Sequence, residues 1–521
     1  MNTYIDVLGL DKNHTEIKPA RVKTNNFIKA QTNKTFTENG ALTNASSLSK
    51  TVDWFFHGAA LRKAEEKRIL NLFTDAFKEN PTSALRILFY IRDIRGGQGE
   101  RRTFRICLQW LGNHEAEWLS KNLSLIFEYG RWDDYFVLFD TKIASTVIDF
   151  IGSQLEKDLK HHVNNEISSL SLLAKWMPSE ASVKYETKKY YNTLLKTGKF
   201  GTKRNYRKAI SILRKDLDIV ERKLSAKEYS NIDYEKLPSY AMLKYSKPRV
   251  YNGMEGSFLR NDKKRFSEYL DKVNKGETKI NAKTLYPYDL AREYTENLYW
   301  KCTYKKSEVN ATIEAQWKAL PDYVPEINGL VVCDTSGSMN GLPMAVAMSL
   351  AVYIAERNKS EIWKNYVIPF SSSAKFMEVS GETLLEKLVS IYTGDCSNTN
   401  LQAVFDLILN RAKAANVLAE DMPKQLLIIS DMEFDSTSFG YTNYEKIKHK
   451  YKESGYALPK LVWWNVDSRN TQTPVTIDDK NNLLLSGSSP SCLKVALSGE
   501  FDIVETINKI IEQERYSCIN Y

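Results

Sequence analysis

The sequence has few cysteines and histidines and no long hydrophobic run. Its six cysteines and six histidines form neither a CxxC pair nor a ligand-spaced cluster. We therefore expect neither a zinc site nor a disulfide framework, but buried free thiols in a reducing compartment. No stretch of about 18 apolar residues is present, so no membrane span is expected. The polar N-terminus lacks the apolar segment of a signal peptide, which predicts a cytoplasmic protein.

Hydrophobic residues are nevertheless abundant, at 42% of the chain with 12% aromatics, so large cores can form. The charge is unevenly divided. Residues 321–521 contain 18 Lys+Arg and 25 Asp+Glu, a net charge of −7, which leaves +16 on residues 1–320. A basic part joined to an acidic part indicates two tasks, and a basic surface attracts polyanions such as nucleic acid.

The periodicity predicts three regions. Residues 1–50 are polar and aperiodic, which indicates an extended arm laid over another surface. Residues 51–324 show short amphipathic helices in series, a pattern typical of an α-solenoid of HEAT-like repeats. From 325 to 521 apolar strands alternate with helices, which predicts a Rossmann-like α/β domain with a mostly parallel sheet. The fold class is therefore α plus α/β.

Hydroxyl and carboxylate residues follow two of the predicted strands. In LVVCDTSGSM, Asp334, Ser336 and Ser338 come just after a strand, and Asp431 comes just after the strand KQLLIIS. A middle loop, GDCSNTNLQ, supplies Thr399 at the start of a helix. Ligand sites in such sheets lie at the carboxyl ends of the strands. Carboxylate and hydroxyl oxygens suit Mg²⁺ or Mn²⁺, which predicts a divalent metal site.

This arrangement resembles the metal-ion-dependent adhesion site of von Willebrand A (vWA) domains, which has Asp-x-Ser-x-Ser, a Thr and a later Asp. The resemblance implies that Asp334, Ser336, Ser338, Thr399 and Asp431 hold the metal and leave one position for a partner's carboxylate. Thr393 and Ser397 compete with Thr399, because Asn400 stands where the family commonly has Asp. We expect the neighbouring acids Glu433 and Asp435 to be solvated rather than to support the ligands.

Two enzyme classes compete for the same residues. DTSG is similar to the Asp-Thr-Gly signature of aspartic proteases, but no second copy and no all-β scaffold are evident. A phosphotransferase with an aspartate nucleophile would usually have a second acid two residues later, where Ser336 stands. No general base for a metal-dependent hydrolase is apparent either. We therefore expect a non-enzyme without catalytic residues.

Two clusters in the basic half could contact RNA. Residues 184–223 hold 13 Lys+Arg against 4 Asp+Glu, with four tyrosines among them. Cations neutralise phosphates and aromatic faces stack on unpaired bases, whereas the alternative is a solvated face above core tyrosines. The cations predicted to bind RNA there are Lys188, Lys189, Lys203, Arg204, Arg207, Lys208, Arg214 and Lys215, and the tyrosines are Tyr185, Tyr190, Tyr191 and Tyr206.

The second cluster is RDIRGGQGERRTFR. Its glycines predict a tight turn between two helices, where backbone N–H groups and arginines could hold a phosphate. The spacing is not that of a P-loop, so no nucleotide cofactor is expected, and a plain turn with capping charges remains the alternative. The arginines predicted to contact RNA are Arg92, Arg95, Arg101 and Arg102.

A helical region containing IRDIRGGQGER, YGRWDDYF, YRKAISILRKDLDIVERKLS and LPSYAMLKY, followed by a vWA-like domain, resembles the Ro (TROVE) family. It is closer still to an uncharacterised Ro-related family found in viruses and eukaryotes. The resemblance implies a monomeric ring of helical repeats closed by the vWA domain. It also implies binding of structured RNA outside the ring and of single-stranded ends in its hole.

The leading hypothesis is a non-catalytic RNA-binding protein of Ro-like architecture, with a Mg²⁺ or Mn²⁺ site that engages a protein partner. The alternative is a metal-dependent protein-interaction scaffold without RNA binding. A steep fall of RNA affinity with salt distinguishes the first from the second.

Overall fold

The structure is a computed structural model of the full chain. It describes most of the sequence, including the last 18 residues of the predicted arm, whereas residues 1–32 lie outside the described part. The described residues are 33–180, 182, 184–247, 256–300, 309–370, 374–394, 399–436, 441–498 and 501–521.

Short helices make up the N-terminal half. Their polar caps explain several of the starts: the Ser49 side chain accepts a hydrogen bond from the Val52 amide, and Asn80 caps a helix that begins at Pro81. A 3₁₀ segment, Trp132–Asp140, interrupts the series. The helices are α1 (Lys50–Gly58), α2 (Glu66–Glu79), α3 (Pro81–Arg92), α4 (Arg102–His114), α5 (Ala116–Lys121), α6 (Ser124–Tyr129), α7 (Ala144–Val163), α8 (Leu173–Trp176), α9 (Tyr185–Lys196), α10 (Lys203–Asp216), α11 (Val220–Ser225), α12 (Ser239–Tyr245), α13 (Ser257–Asn261), α14 (Lys263–Asn274), α15 (Pro287–Trp300) and α16 (Ala311–Lys318).

Two strands precede these helices and six follow them. The first two, β1 (Lys34–Phe36) and β2 (Leu42–Asn44), form an antiparallel hairpin. The remaining strands are β3 (Gly329–Asp334), β4 (Tyr366–Phe370), β5 (Met377–Glu378), β6 (Gln425–Ser430), β7 (Lys460–Asn465) and β8 (Asn482–Ser486). The helices of this half are α17 (Leu342–Arg357), α18 (Leu384–Ser390), α19 (Leu401–Ala414), α20 (Asn443–Ser454), α21 (Leu493–Ala496), α22 (Ile503–Ile511) and α23 (Glu514–Ser517).

The C-terminal sheet has the strand order β5-β4-β3-β6-β7-β8. All neighbouring strands are parallel except the short β5, which runs antiparallel to β4. The chain extends the sheet to one side of β3 through β4 and to the other side through β6. The carboxyl ends of β3 and β6 therefore form a topological switch point, where open α/β sheets bind ligands.

The predicted order of a helical region followed by a mostly parallel α/β sheet is confirmed. Helices α2, α3 and α4 and strands β3, β6 and β7 form where the hydrophobic pattern places them. The edge strand β8 was not foreseen, because NNLLLS is a short apolar run without a flanking helix pattern. It packs beside α1, where the Ser486 hydroxyl donates to the Phe55 carbonyl at 2.7 Å.

The hairpin β1–β2 lies on the sheet half. The Asn44 amide donates to the Thr473 carbonyl at 3.2 Å and the Thr473 amide donates back at 2.9 Å. Lys34 pairs with Glu445 at the start of α20, at 3.1 Å. We call residues 33–49 the arm segment. It lies over the sheet half.

One hydrophobic cluster runs through both halves. It joins buried side chains of the helices, such as Trp54 and Phe89, to buried side chains of the sheet, such as Leu330 and Trp463. A smaller cluster between Val220 and Ile280 fills the space around α12 and α14. The two halves thus share buried apolar surface, which resists their separation because exposing that surface to water is unfavourable.

A buried ion pair ties the last helix to the first ones. Asp93, just after α3, has no solvent exposure. The Arg515 guanidinium donates to both of its oxygens, with Nη2 at 2.8 Å from Oδ1, and the Tyr516 hydroxyl donates at 2.9 Å. Charge-assisted bidentate pairs are strong and directional. This pair fixes α23 against the turn after α3.

No helix within the described ranges is both long and apolar enough to span a bilayer.

We expect Arg515→Ala to destabilise the protein by about 3 kcal/mol, because it leaves the Asp93 carboxylate buried without its cation. Arg292→Ala is the matched control, since Arg292 pairs at 2.6 Å with Glu296 on the exposed face of α15. Its loss should cost under about 1 kcal/mol. Urea unfolding followed by tryptophan fluorescence measures both variants, and equal midpoints would show that the Asp93 pair does not stabilise the fold.

Candidate metal centre and RNA-binding surface

The residues predicted to hold a metal gather at the switch point of the sheet. Asp334 ends β3 and Asp431 follows β6, and these two strands are hydrogen-bonded neighbours. Gly337 begins a 3₁₀ turn that brings Ser338 back towards Ser336, with their hydroxyl oxygens 3.0 Å apart. The strand order thus brings together groups nearly a hundred residues apart.

Asp334 is fully buried and both its oxygens are held. The Ser336 amide donates to Oδ1 at 2.9 Å, and the Ser430 hydroxyl donates to Oδ2 at 2.6 Å. The Met432 amide in turn donates to the Ser430 hydroxyl at 3.0 Å. Ser430 therefore orients the carboxylate, a role that the sequence analysis missed, although its place at the end of β6 was a signal.

Asp431 is less well satisfied. The Glu433 amide donates to Oδ1 at 3.1 Å, whereas Oδ2 is buried without a hydrogen-bond partner. The nearest cation is Arg469, whose Nη1 lies 3.8 Å from Oδ2. A buried oxygen without a donor is rare, and a bound cation is one common explanation.

The two carboxylates raise each other's cost of ionisation. Burial, followed by the charge of Asp431, raises the pKa of Asp334 to about 7. Burial also raises the pKa of Asp431, and the Ser338 hydroxyl and the Arg469 guanidinium lower it in part. When both buried acids are ionised they repel each other, and a divalent cation between them would remove the repulsion.

The donor set fits a hard cation. It offers two carboxylates and two hydroxyls on one curled loop and a neighbouring strand end, the oxygen chemistry that Mg²⁺ prefers. No cluster of three or more His, Cys, Asp or Glu side chains suited to a metal occurs in the described part of the chain. Asp334, Ser336, Ser338 and Asp431 are the residues that would hold the ion.

Thr399, the predicted fifth ligand, is buried beside the segment that follows Asp431. Its carbonyl accepts a hydrogen bond from the Asp435 amide of that segment at 3.0 Å. Thr393 is half-buried, and Ser397 lies outside the described residues. The choice of Thr399 stays a prediction.

Glu433 is not a solvated acid, so that expectation is wrong. It is buried, and its carboxylate accepts hydrogen bonds from the Glu38 amide at 2.7 Å and from Gln472 Nε2 at 2.7 Å. Burial raises its pKa. Its amide holds Asp431, so Glu433 supports the candidate ligand through the backbone. Asp435 is only half-buried.

Arg92 does not fit its predicted contact with RNA. Its side chain is 1% exposed, and its Nε donates to Asp134 at 2.8 Å. Arg105 binds the other oxygen of Asp134 at 2.7 Å. The motifs IRDIRGGQGER and YGRWDDYF thus meet each other inside the helical half, which explains these charges structurally.

The glycine turn after α3 does not present a phosphate-binding nest, so that hypothesis is wrong as well. The amides of Gln98, Gly99 and Glu100 donate to backbone carbonyls of residues 90–93. A Cβ at Gly97 would lie 1.9 Å from the Tyr90 carbonyl oxygen, so only glycine allows this close return of the chain. The Ser489 amide donates to Gln98 at 3.0 Å, which makes the turn a contact with the sheet half.

Three further arginines of this cluster are reachable to different extents. Arg95 is exposed and donates to the Glu128 carbonyl at 2.9 Å. Arg102 is partly buried and donates to the Ala64 carbonyl at 2.6 Å. Arg101 is exposed at the start of α4. Of these, Arg95 and Arg101 are the exposed ones.

The predicted cations of residues 184–223 lie mostly on a free face of α10. Tyr206, Ile210 and Leu213 are buried at helical spacing, so the opposite side is solvated. Of the predicted cations, those exposed on α10 are Lys203, Arg204, Arg207, Lys208 and Lys215, and those exposed on α9 are Lys188 and Lys189. We call the α10 set the α10 cation face.

Pairing of these cations is weak. Lys203 and Arg207 lie 3.5 and 3.8 Å from Glu180, and the pair of Lys189 with Asp140 is exposed. Arg204, Lys208 and Lys215 have no carboxylate within salt-bridge distance among the described residues. Exposed pairs contribute little, so most of these charges remain available to a polyanion.

Arg214 and most of the tyrosines have structural roles instead. Arg214 donates to the carbonyls of Ala174 and Met177 at 2.9 and 2.8 Å, which fixes α10 against α8. Tyr191 and Tyr206 are buried against each other in the core. Tyr185 is 82% exposed at the start of α9 and is the tyrosine best placed to stack on a base.

A cavity of about 1560 Å³ lies between the helical half and the start of α17. Seven cations and six acids line it, so its charge is nearly balanced. Several of the cations are paired there, as Arg62 is with Glu100 at 2.8 Å. The cavity is therefore a less basic surface than the α10 cation face.

Two models of protein domains match the chain. A domain of unknown function, DUF2828, matches residues 37–135 and 186–328, and another, DUF7788, matches residues 328–518. "Uncharacterized protein L728" of Acanthamoeba polyphaga mimivirus is 29% identical over 506 residues, which cover 90% of this chain and 85% of the viral protein. The crystal structure of the Deinococcus radiodurans RO (RSR) protein aligns over 91% of this chain and 100% of its own, with a TM-score of 0.34 and 10% identity.

The viral relative agrees with the predicted resemblance to an uncharacterised family with viral members. The relation to Ro and the assignment of the sheet half as a vWA domain stay predictions. The matched residues cover both the α10 cation face and the strand ends with Asp334 and Asp431.

We expect millimolar Mg²⁺ or Mn²⁺ to raise the melting temperature of the protein, because the ion binds only the folded state. Asp431→Asn should abolish the rise. Asp421→Asn, an exposed acid before β6, is the matched control and should retain it. Differential scanning fluorimetry gives the comparison; an unchanged wild-type melting temperature would contradict the metal site.

Proposed function

We propose that this protein binds RNA without catalysis through the α10 cation face, and that its sheet half is a vWA domain that holds Mg²⁺ or Mn²⁺ for a partner. The observation that carries the first part is the α10 cation face itself. Among the described residues, Glu180 is the one carboxylate within 4 Å of these five exposed cations.

Phosphates explain such a face better than solvation alone. Backbone phosphates release condensed counterions when Lys and Arg neutralise them, which favours binding irrespective of sequence. The exposed ring of Tyr185 on α9 adds a surface on which an unpaired base can stack. The buried Tyr206 and Leu213 anchor the opposite side of α10 in the core, which leaves its cations directed towards solvent.

The proposed architecture is Ro-like: a ring of helices closed by the sheet half around the central cavity. The shared core and the Asp93–Arg515 pair support a closed arrangement. Because the charge of the cavity is nearly balanced, we place the stronger RNA contact on the α10 cation face. Arg101 is among the cavity-lining cations that a strand end inside would contact.

The proposed vWA metal site rests on Asp334 and Asp431 at the switch point and on the orphan oxygen of Asp431. When bound, the ion supplies one open coordination position that an acidic side chain of a protein partner can take. The Ser336 amide and the Ser430 hydroxyl orient the Asp334 carboxylate for this role.

We expect replacement of Lys203, Arg204, Arg207 and Lys208 by glutamine to weaken binding of an RNA hairpin with a single-stranded 3′ tail by roughly tenfold or more, because phosphate contacts dominate such affinity. The control replaces Arg411, Lys413, Lys448 and Lys452, which are exposed cations of the sheet half. Fluorescence anisotropy measures both variants.

The control removes the same amount of charge from the sheet half. Because the α10 cation face is intact in it, it should bind RNA as the wild type does. An equal loss in both variants would show that only net charge matters. Absence of binding by the wild type at low salt would overturn the RNA proposal and favour a protein-interaction scaffold.

A further inference from the structure

The tip of the arm segment, Thr37–Gly40, is hydrogen-bonded to the chain that follows Asp431. The Thr37 hydroxyl donates to the Phe434 carbonyl at 2.8 Å, and Asn39 Nδ2 donates to the Glu433 carbonyl at 2.6 Å. The Glu38 amide donates to the Glu433 carboxylate at 2.7 Å. The arm therefore contacts a segment that lies within four residues of a candidate metal ligand.

That segment takes its shape from the Asp431 carboxylate. The Glu433 amide donates to Asp431 Oδ1, and Met432 between them has a left-handed backbone with φ 67°. Such a conformation is unfavourable for a methionine and persists only where its surroundings hold it. Fixing the carboxylate of Asp431 thus fixes the acceptors on which the arm depends.

A second connection runs through Arg469 in the loop between β7 and β8. Its Nη1 lies 3.8 Å from Asp431 Oδ2, and its Nη2 lies 2.6 Å from the Glu38 carboxylate. One guanidinium is therefore shared between a candidate metal ligand and the arm. It is the only cation within 4 Å of Asp431 among the residues that the structure describes.

The loop that presents Arg469 is anchored from the helical half. Arg68 of α2 donates to the Ser468 hydroxyl at 2.8 Å and to the carbonyls of Arg469 and Asn470. Because the backbone is held, the guanidinium can shift its share between Asp431 and Glu38 by rotation of its own side chain alone. We call the strand ends with Asp334 and Asp431 the metal edge. The arm, the metal edge and the helical half meet at this loop.

We propose that docking of the arm segment and binding of a divalent cation at Asp334 and Asp431 are positively coupled, with Glu38 and Arg469 as positioning residues. This rests on the proposed metal site. A cation at Asp431 replaces the positive charge that Arg469 supplies, so the guanidinium is left to Glu38. The same cation holds Asp431 in place and with it the Glu433 and Phe434 acceptors. Because coupling is reciprocal, a docked arm tightens the cation site equally.

Hydrogen–deuterium exchange of the full chain with and without Mg²⁺ tests the first direction. We expect Mg²⁺ to slow exchange in the peptide covering residues 34–44 severalfold, because the amides of Glu38 and Ala41 become better protected. Asp431→Asn should remove the effect. Peptides of α14, which lies in the smaller core, serve as the internal reference.

Calorimetric titration with Mg²⁺ tests the reverse direction. Glu38→Gln and the charge-neutral Asn39→Ala should each weaken Mg²⁺ binding by about fivefold or more, the usual lower range of coupling between sites. Lys34→Gln is the control on the same hairpin, since Lys34 contacts Glu445 and Asn44 instead. It should leave the Mg²⁺ affinity unchanged.

The outcomes separate the two proposals. If Mg²⁺ binds the wild type but neither arm exchange nor the affinity of the arm variants changes, the coupling is wrong and the metal site stands. Tighter Mg²⁺ binding by Glu38→Gln would show a coupling of opposite sign and overturn the proposal. If the wild type binds no Mg²⁺, the metal site and the coupling both fail.

Discussion

The Asp93 carboxylate is the point on which the arrangement of the two halves depends. It has no access to solvent, and its charge is balanced by Arg515 from the last helix of the chain. The ion pair sits on the glycine turn after α3, where Gly97 permits a contact that any Cβ would block. Once this joint is set, β8 lies against α1 and Arg68 reaches the loop that carries Arg469. The two halves are thus joined by the Asp93–Arg515 pair and by a shared core.

The two proposed activities lie in halves of opposite charge. The helical half concentrates cations on α10 because its apolar side is used by the core and its other side has few acids nearby. The sheet half concentrates acids where β3 and β6 end, and burial makes their mutual repulsion costly. The first arrangement attracts a polyanion at long range, and the second holds a small cation at short range. Arg469, between Asp431 and Glu38, is where the acidic edge meets the arm segment.

The elements with strong periodicity could be predicted from the sequence, as could the placement of Asp334 and Asp431 at neighbouring strand ends, because parallel strands place their carboxyl ends at one edge. What could not be predicted depends on distant partners. Arg92 is interior only because Asp134, 42 residues later, is buried beside it. Tyr206 is of a residue type that stacks on bases, but its side chain is buried in the core. Arg469 reaches the metal edge through a loop whose course is set by Arg68, and no local pattern reports that.

The most direct test of the account is the dependence of RNA affinity on salt, measured between about 50 and 200 mM for the wild-type protein. Five exposed cations contacting a single strand predict a slope of log K against log salt of about −3.5, because each neutralised phosphate contributes about −0.7. A slope near that value would establish that binding is carried by phosphate contacts of the size that the α10 cation face offers. Measurable binding with a slope near zero would contradict the account, since contacts of another kind would then hold the RNA.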